Sequence, residues 1–225
     1  MKTLFVTASG TTVGKTYVAA ALARALVAAG KKVAVVKPVI SGFAWATADA
    51  SDTAILLRAI GREPTRDAIE AASPWRFEVQ LAPDMAARRE GRTVEFDALV
   101  AFCRDAQKGD HDLLLIEGVG GVMVPLDDRH TVLDWIAALE APALLMVGSY
   151  LGAISHALTA AVALAARGIM IAGVVVDESE DSTVALADTA ATLARFLPAR
   201  LPLATVKRGA APGAVLRALK PMLVV

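Results

Sequence analysis

A glycine- and lysine-containing loop near the start of the chain constrains the fold more than any other segment. Residues 8–16 read Ala-Ser-Gly-Thr-Thr-Val-Gly-Lys-Thr, directly after a short apolar run and directly before an alanine-rich segment. The spacing follows the template G-x-x-x-x-G-K-[ST], in which backbone N–H groups curl around phosphate oxygens, although Ser9 replaces the first glycine. The pattern predicts a strand, a phosphate-binding loop and a helix in immediate succession.

The end of this loop holds residues with specific roles in the template. Lys15 would neutralise the β- and γ-phosphates of a nucleoside triphosphate, and the Thr16 hydroxyl would bind Mg²⁺. A chance Gly-Lys-Thr in an ordinary strand-to-helix turn is the alternative, which the order of strand, loop and helix disfavours. The residues of this segment that we expect to contact the nucleotide are Thr12, Val13, Gly14, Lys15, Thr16 and Tyr17.

Short apolar runs alternate with longer alanine- and leucine-rich segments along the whole chain. The runs are almost wholly apolar, as in strands that are covered on both faces. This alternation predicts an α/β fold with a mostly parallel sheet, right-handed crossovers and helices on both faces. We expect one domain over residues 1–225. The predicted strands are 3–7, 33–37, 113–117, 143–148, 169–176 and 201–205, and the predicted helices are 16–29, 52–60, 95–107 and 155–167.

Several short signals mark the ends of these elements. Gly30, Gly109 and Gly168 each follow a predicted helix, at the position where a left-handed residue often ends one. Ser51 and Thr131 are expected to cap the helices that follow them. The stretch 71–92 contains two prolines and is the least regular part of the chain, and we expect it to form a loop over the site.

The chain is rich in apolar residues, which make up 56% of it, so a large core is possible and disorder is excluded. Residues 141–166 carry no formal charge, but Pro142, Gly148 and Gly152 interrupt them. These interruptions favour a buried strand, a turn and a packed helix over a membrane span. The apolar segment at the amino terminus is too short for a signal sequence. We therefore expect a soluble, cytoplasmic protein.

Charge and metal-binding residues exclude other classes of protein. The 23 Lys and Arg residues balance the 23 Asp and Glu residues, which argues against binding to a nucleic-acid backbone. The single cysteine, Cys103, excludes a disulfide scaffold and a cysteine-based zinc site. The three histidines are scattered without metal-ligand spacing.

A lysine and a serine follow the second predicted strand, in the sequence Lys-Pro-Val-Ile-Ser-Gly at residues 37–42. A lysine at the carboxyl end of a strand beside the phosphate loop points into the crevice where open α/β sheets bind ligands. A strand-end lysine that extends into solvent is the alternative reading of Lys37.

Two carboxylates are candidate ligands for Mg²⁺. Glu117 ends an aliphatic run, as the acid of a Walker-B-like strand does, and an unpaired charge at that position would be costly. Asp52 opens the helix 52–60, and its carboxylate could supply oxygen ligands to the metal, as could that of Asp49. A simpler explanation for an acid at position 52 is that the helix dipole favours negative charge in the first turn. The predicted metal ligands are Thr16, Asp52 and Glu117.

Together these residues resemble the dethiobiotin synthetase family, whose members close a ureido ring in biotin synthesis with ATP. The resemblance runs nearly from end to end. It rests on the loop 11–16, Lys37-Pro-Val-x-Ser41-Gly, Ser51-Asp52, Glu117-Gly-x-Gly-Gly, Pro125-Leu126, Asp134-Trp135 and Leu151-Gly152-x-Ile154-x-His156.

The resemblance implies a reaction: ATP- and Mg²⁺-dependent carboxylation of 7,8-diaminononanoate by CO₂ and closure of the ring, giving dethiobiotin, ADP and phosphate. It implies a homodimer in which the partner subunit closes the diamine site. The implied catalytic residues are Lys37, Lys15, Thr11 and Ser41. The implied substrate contacts are Thr11, Lys37, Ser41, Leu151, Gly152 and Ser155, the last three holding the substrate carboxylate at a helix N-terminus. The further implied nucleotide contacts are Asp52, Glu117, Gly118, Val119, Gly120, Asp177 and Glu178.

The chain departs from the family pattern at several positions. Thr12 stands where Glu or Gly is frequent, and Asp177-Glu178 replaces an Asn-Asp pair that reads adenine. An ionised Asp only accepts hydrogen bonds, whereas Asn also donates, so we expect tolerance of other nucleoside triphosphates. Thr189 replaces a tyrosine expected to reach the partner's site, and Asp84 replaces a frequent histidine.

Two other functions use the same loop. A nucleotide switch or partitioning ATPase would associate in response to ATP, but Gly10 stands where partitioning ATPases carry a second lysine. A small-molecule kinase would use Arg88 and Arg89 as lid arginines, but it leaves the residues around Lys37 and Glu117 without a role.

Overall fold

Strands and helices alternate along residues 2–180 and 182–223, the part of the chain that the computed structural model describes. The strands are β1 (Thr3–Ala8), β2 (Val33–Val36), β3 (Val39–Ser41), β4 (Trp75–Phe77), β5 (Leu113–Glu117), β6 (Ala143–Gly148), β7 (Ile171–Asp177) and β8 (Leu203–Val206). The helices are α1 (Lys15–Ala28), α2 (Asp52–Ala59), α3 (Arg66–Ala72), α4 (Pro83–Arg89), α5 (Phe96–Gln107), α6 (Val132–Leu139), α7 (Ala153–Ala166), α8 (Leu186–Phe196) and α9 (Pro212–Leu223), with a 3₁₀ helix at Trp45–Ala50.

A six-stranded sheet in the order β2-β5-β1-β6-β7-β8 forms the centre of the fold. Every pair of neighbours in it is parallel. From β1 the chain goes first to β2 at one edge, returns to place β5 between β2 and β1, and then crosses to the other side for β6, β7 and β8. Such a change of direction opens a crevice at the carboxyl ends of the central strands, which are β1 and β5 here.

Two apolar layers cover the two faces of this sheet, which confirms the predicted α/β architecture. Side chains alternate along each strand, so Phe5 of β1 faces one layer while Leu4 and Val6 face the other. The first layer contains core residues of α5, α6, α7 and α8, and the second contains those of α1, α2 and α9. The nearly continuous apolar runs of the strands are therefore explained by burial on both sides.

The predicted strands and helices are confirmed with small shifts at their ends. The largest shifts among the strands lie at the starts of β7 and β8, which begin at Ile171 and Leu203 instead of 169 and 201. The segment 141–166 forms β6, a turn and α7. No helix within the described residues is both long and apolar enough to cross a membrane.

The stretch 71–92 is more regular than predicted. It contains the end of α3, the whole of β4 and the whole of α4. β4 pairs in parallel with β3 to form a second, two-stranded sheet, in which Ser41 is opposite Phe77. Strands of three residues carry too little periodicity to be recognised along the chain, and this pair is defined by its long-range contact.

The predicted helix ends are confirmed at Gly30 and Gly168, which have φ of +77° and +69°. The prediction is wrong at Gly109, which is not left-handed. The residues after Gly30 and Gly168 donate back to the Leu26 and Leu164 carbonyls and close the helix end, whereas after Gly109 the His111 N–H turns to the Gly109 carbonyl instead. A side chain at Gly109 would instead meet the His111 ring, since a Cβ there would lie 2.9 Å from Nδ1. The Thr131 capping box and the Ser51 cap are both present.

Candidate active site

The loop between β1 and α1 is held in conformations that suit anion binding. Gly14, just before α1, has φ +75°, and Thr12 has φ +54°, which is unusual for a β-branched residue. In the described structure no side chain caps the N-terminus of α1, and its first turn contains no acidic residue. The free N–H groups and the positive end of the helix dipole therefore face the loop, where a phosphate would bind.

Lys15 lies at the base of this loop. It is buried, and its Nζ donates to the Gly10 carbonyl oxygen at 3.3 Å. Burial, followed by the positive charge of Lys37, lowers the pKa of Lys15 to about 8. The ammonium is therefore still mainly charged at neutral pH, and a bound triphosphate would stabilise that charge.

Lys37 is buried at the exit of β2, between two carboxylates. Its Nζ lies 2.6 Å from Glu117 Oε1 and 3.3 Å from Asp52 Oδ2, and it also donates to the Gly118 carbonyl oxygen at 3.0 Å. Burial opposes the charged form of Lys37, but the carboxylates of Glu117 and Asp52 outweigh it, so the pKa of Lys37 is raised. The side chain does not extend into solvent, since the residue is 3% exposed.

The three predicted metal ligands lie around this ammonium. Thr16 Oγ1 donates to Glu117 Oε1 at 2.8 Å, and Asp52 reaches the same Lys37 Nζ. The second oxygen of Glu117, Oε2, is buried and has no hydrogen-bond partner among the described residues. An orphaned carboxylate oxygen beside a hydroxyl and a second carboxylate fits a hard divalent cation. Within the same residues no group of three or more His, Cys, Asp or Glu side chains forms a metal site.

A cavity of about 600 Å³ opens in front of the phosphate loop, and most of the predicted site residues line it. Thr11 and Ser41, the expected substrate contacts, lie on its wall. Glu117 and Gly118 contribute through their bonds to Lys37 rather than by lining it. The predicted residues that line the cavity are those of the segment 11–17 together with Lys37, Ser41, Asp52, Val119 and Gly120.

The sequence did not predict every residue that lines the cavity. Ile40, Val124 and residues 80–83 also line the cavity. Ile40 precedes Ser41 and Val124 packs against Gly120, but neither carries a polar group that would have singled it out. Residues 80–83 belong to the stretch 71–92, and the structure places only this short part of it beside the cavity.

Leu151, Gly152 and Ser155 do not line this cavity within one chain. After β6 ends at Gly148 the chain turns outward, so that Leu151 is 83% exposed and Gly152, with φ +97°, precedes α7. Tyr150 remains closer to the loop: its Oη is bonded to His156 Nδ1 at 2.9 Å and lies 3.7 Å from the position that a Cβ on Gly10 would take. The predicted substrate contacts of these three residues are thus not met by a single subunit.

Asp177 and Glu178, the predicted base-reading residues, also lie outside the cavity lining. Asp177 packs against the end of the phosphate loop, since a Cβ on Gly14 would lie 2.3 Å from its Oδ2. Burial, reinforced by Glu178 and opposed by Arg208, raises the pKa of Asp177 to about 6. Glu178 instead accepts the backbone N–H of Arg208 at 3.1 Å.

Two further departures from the family pattern have structural explanations. Thr189 is fully buried in α8, where its hydroxyl donates to the Ala185 carbonyl at 3.3 Å, so it does not extend outward as a tyrosine would. Asp84 lies in the first turn of α4, 3.9 Å from Arg88, and does not line the cavity.

Comparison with known proteins agrees with this site. A family described as AAA domain matches residues 2–206. The chain is 49% identical to the ATP-dependent dethiobiotin synthetase BioD of Acidiphilium cryptum, over 90% of this chain and 91% of that protein. It is 46% identical to the ATP-dependent dethiobiotin synthetase BioD of Methylobacterium nodulans, over 89% and 92% of the two chains.

Solved structures share the fold at much lower identity. The MinC:MinD cell division protein complex of Aquifex aeolicus is 14% identical, with a TM-score of 0.54 over 92% of this chain and 81% of that chain. That likeness concerns the arrangement of sheet and helices alone. By its sequence relatives, which it matches over nearly their whole length, the chain belongs to the family of ATP-dependent dethiobiotin synthetases.

Proposed function

We propose that this chain uses ATP to carboxylate 7,8-diaminononanoate with CO₂ and to close the product into the ureido ring of dethiobiotin, releasing ADP and phosphate. One observation carries the proposal: two lysine ammonium groups, Lys15 and Lys37, meet at the edge of a single cavity. The reaction must bring two anions together, a carbamate and a triphosphate, and positive charge between them lowers the barrier to that approach.

Lys15 and the loop around it hold the triphosphate. The N–H groups at the start of α1 donate to phosphate oxygens, and Lys15 Nζ exchanges its bond to the Gly10 carbonyl for the β- and γ-phosphates. The adjoining lining residues Val13, Gly14 and Tyr17 extend the contact toward the nucleoside.

Thr16, Asp52 and Glu117 would hold Mg²⁺, which Glu117 Oε2 is free to bind. When bound, this ion supplies positive charge to the phosphate oxygens. A cation held by Glu117 would share the carboxylate with Lys37, and Lys37 would then have hydrogen bonds to offer to the substrate.

Lys37, Thr11 and Ser41 position the organic substrate. One amine adds to CO₂ and loses a proton, giving a carbamate, whose oxygen attacks the γ-phosphorus and displaces ADP. The second amine then attacks the carbonyl carbon of the mixed anhydride, and phosphate leaves. Lys37 would contact the carbamate oxygens, while the hydroxyls of Thr11 and Ser41 hold the amine and carbamate groups.

The substrate carboxylate would be bound by a second subunit of a homodimer. The α7 N-terminus has Gly152 as its cap, lacks an acidic residue in its first turn, and presents Leu151 to solvent. A 14-residue helix beginning this way offers N–H groups and a positive dipole end to a carboxylate. Leu151, Gly152 and Ser155 of the partner subunit would then complete the cavity. We assign the enzyme to the cytoplasm.

The nucleotide base would lie near Asp177 and Glu178. The Asp177 carboxylate is mainly ionised at neutral pH and then only accepts hydrogen bonds. Adenine, guanine and cytosine each carry an exocyclic amine, and uracil a ring N–H, that can donate to it, so the base is expected to be read loosely.

Coupling of ATP cleavage to the diamine tests the proposed function. Phosphate release should require diaminononanoate and bicarbonate together, with formation of dethiobiotin followed by mass spectrometry. A nucleotide switch would instead hydrolyse ATP slowly without the diamine, and a kinase would phosphorylate a small molecule without bicarbonate. Either pattern would refute the synthetase assignment.

A further inference from the structure

Gln80 reaches the active-site cavity because of how the small sheet ends. Beyond the pairing of β3 with β4, the Phe43 N–H donates to Phe77 O at 2.9 Å and the Gly42 N–H donates to Val79 O at 3.3 Å. The Leu81 N–H then turns back to Val79 O at 3.0 Å. These bonds place Gln80 beside Gly42, where it lines the cavity.

Contact with Gly42 holds the stem of the Gln80 side chain. A Cβ on Gly42 would lie 3.2 Å from Gln80 Cβ and 3.3 Å from Cγ, and Gly42 has φ +74°. Gly42 thus accommodates the glutamine in two ways, by its lack of a side chain and by its left-handed backbone. The residue lines the cavity together with Ser41.

Three polar side chains of the cavity lining have no hydrogen-bond partner among the described residues, in contrast to the charged groups around Lys37. The Gln80 carboxamide makes no hydrogen bond to any residue of the described chain, and the same is true of the Thr11 and Ser41 hydroxyls. Lys37, Asp52 and Glu117, by comparison, are bonded to one another. Gln80 and Thr11 are exposed and Ser41 is half-buried, so water can satisfy these groups in the free protein and a ligand can take its place.

The part of the cavity lining formed by residues 80–83 is uncharged. The lining also includes Ile40, Val119 and Val124, which suit a hydrocarbon chain, and its charged members among the described residues are Lys15, Lys37 and Asp52. A ligand held here would combine methylene groups with neutral hydrogen-bonding groups. This matches a diamino acid whose amines react in the neutral form, since an ammonium has no lone pair for attack.

We propose that the Gln80 carboxamide contacts the diamine, its oxygen accepting an N–H of one amino group, and that its neutrality keeps this amine nucleophilic. A carboxylate at this position would stabilise the ammonium instead. The inference rests on the proposed function and adds to it a residue that determines specificity for the diamine.

Two substitutions test this role. Gln80→Leu keeps the Cβ and Cγ atoms that rest on Gly42 but removes the carboxamide. The KM for diaminononanoate should rise about 2- to 13-fold, as for loss of one hydrogen bond, with the KM for ATP unchanged. Gln80→Glu should move the rising limb of kcat/KM against pH toward higher pH, because the ammonium form is favoured. A purely structural residue would not produce that shift.

Gln107→Leu provides the matched control, because Gln107 lies on α5 and bonds to the Leu139 carbonyl, outside the cavity. If wild-type enzyme makes dethiobiotin while Gln80→Leu leaves the diamine KM unchanged and Gln80→Glu leaves the pH profile unchanged, the role of Gln80 is refuted and the proposed function stands. If wild-type enzyme forms no dethiobiotin from diamine, bicarbonate and ATP, the proposed function fails and this inference fails with it.

Discussion

The buried ion pair of Lys37 and Glu117 gives the sharpest prediction. Lys37→Gln should abolish ring closure and leave ATP binding largely intact, because Lys15 and the loop hold the phosphates. The same change should also weaken the fold. Glu117 is 1% exposed and its Oε1 lies 2.6 Å from Lys37 Nζ, so the substitution leaves a buried carboxylate without its main positive partner.

The magnitude follows from the burial of both groups. Breaking one side of a buried pair costs about 3–5 kcal/mol. For a chain of this size about 2–4 °C of Tm correspond to each kcal/mol, so Tm should fall by roughly 6–20 °C.

Thermal unfolding of wild type, Lys37→Gln and Lys37→Gln/Glu117→Gln at pH 8 measures these effects. The double variant should recover most of the stability lost at pH 8, since no charge is left buried, yet remain inactive. ATP binding is measured by calorimetry on the same proteins. Equal Tm values for wild type and Lys37→Gln at pH 8, or no recovery in the double variant, would refute the reasoning.

Three further predictions concern the nucleotide. Because the pKa of Lys15 without bound nucleotide is lowered to about 8, ATP affinity should decline above pH 8, and binding at pH 8.5 should take up a proton. Calorimetry in two buffers of different ionisation enthalpy detects this proton uptake. Constant affinity from pH 7 to 9 would contradict the prediction. Gly14→Ala should abolish ATP binding and lower Tm, because a Cβ at this position would meet Asp177 and a φ of +75° is strained for alanine. Unchanged ATP binding would show that the loop can adjust and would contradict this prediction. Wild type should accept CTP, GTP or UTP besides ATP. Asp177→Asn should raise the preference for ATP over these nucleotides about tenfold in kcat/KM. If CTP, GTP and UTP all fail at saturating concentration, the role given to Asp177 in reading the base is wrong.

The sequence predicted those parts of the fold that depend on local pattern. The long apolar runs of β1, β5 and β6 need burial on both faces wherever they lie, so periodicity alone identifies them. The strands β3 and β4 escaped prediction because each has only three residues and exists through pairing across more than thirty residues of chain. Propensity contains no information on such a contact.

The site was predicted in its chemistry more than in its contacts. Loop spacing and strand ends identified Lys15, Lys37 and Glu117, because motifs fix which residues reach the sheet edge. No spacing rule states that Lys37 and Glu117 bond to each other across 80 positions, or that Gln80 stands beside Gly42. Leu151 and Ser155 were assigned through family resemblance, and within one chain the turn after β6 carries them away from the cavity.

The left-handed conformation of Thr12 has a consequence for turnover. A β-branched residue held at φ +54° is disfavoured by about 1–2 kcal/mol, and the folded protein maintains it before any nucleotide arrives. The chain meets that cost once, during folding, and does not repeat it in each catalytic cycle. The loop is therefore preorganised for the triphosphate, and binding of the phosphates costs little further conformational entropy in the loop.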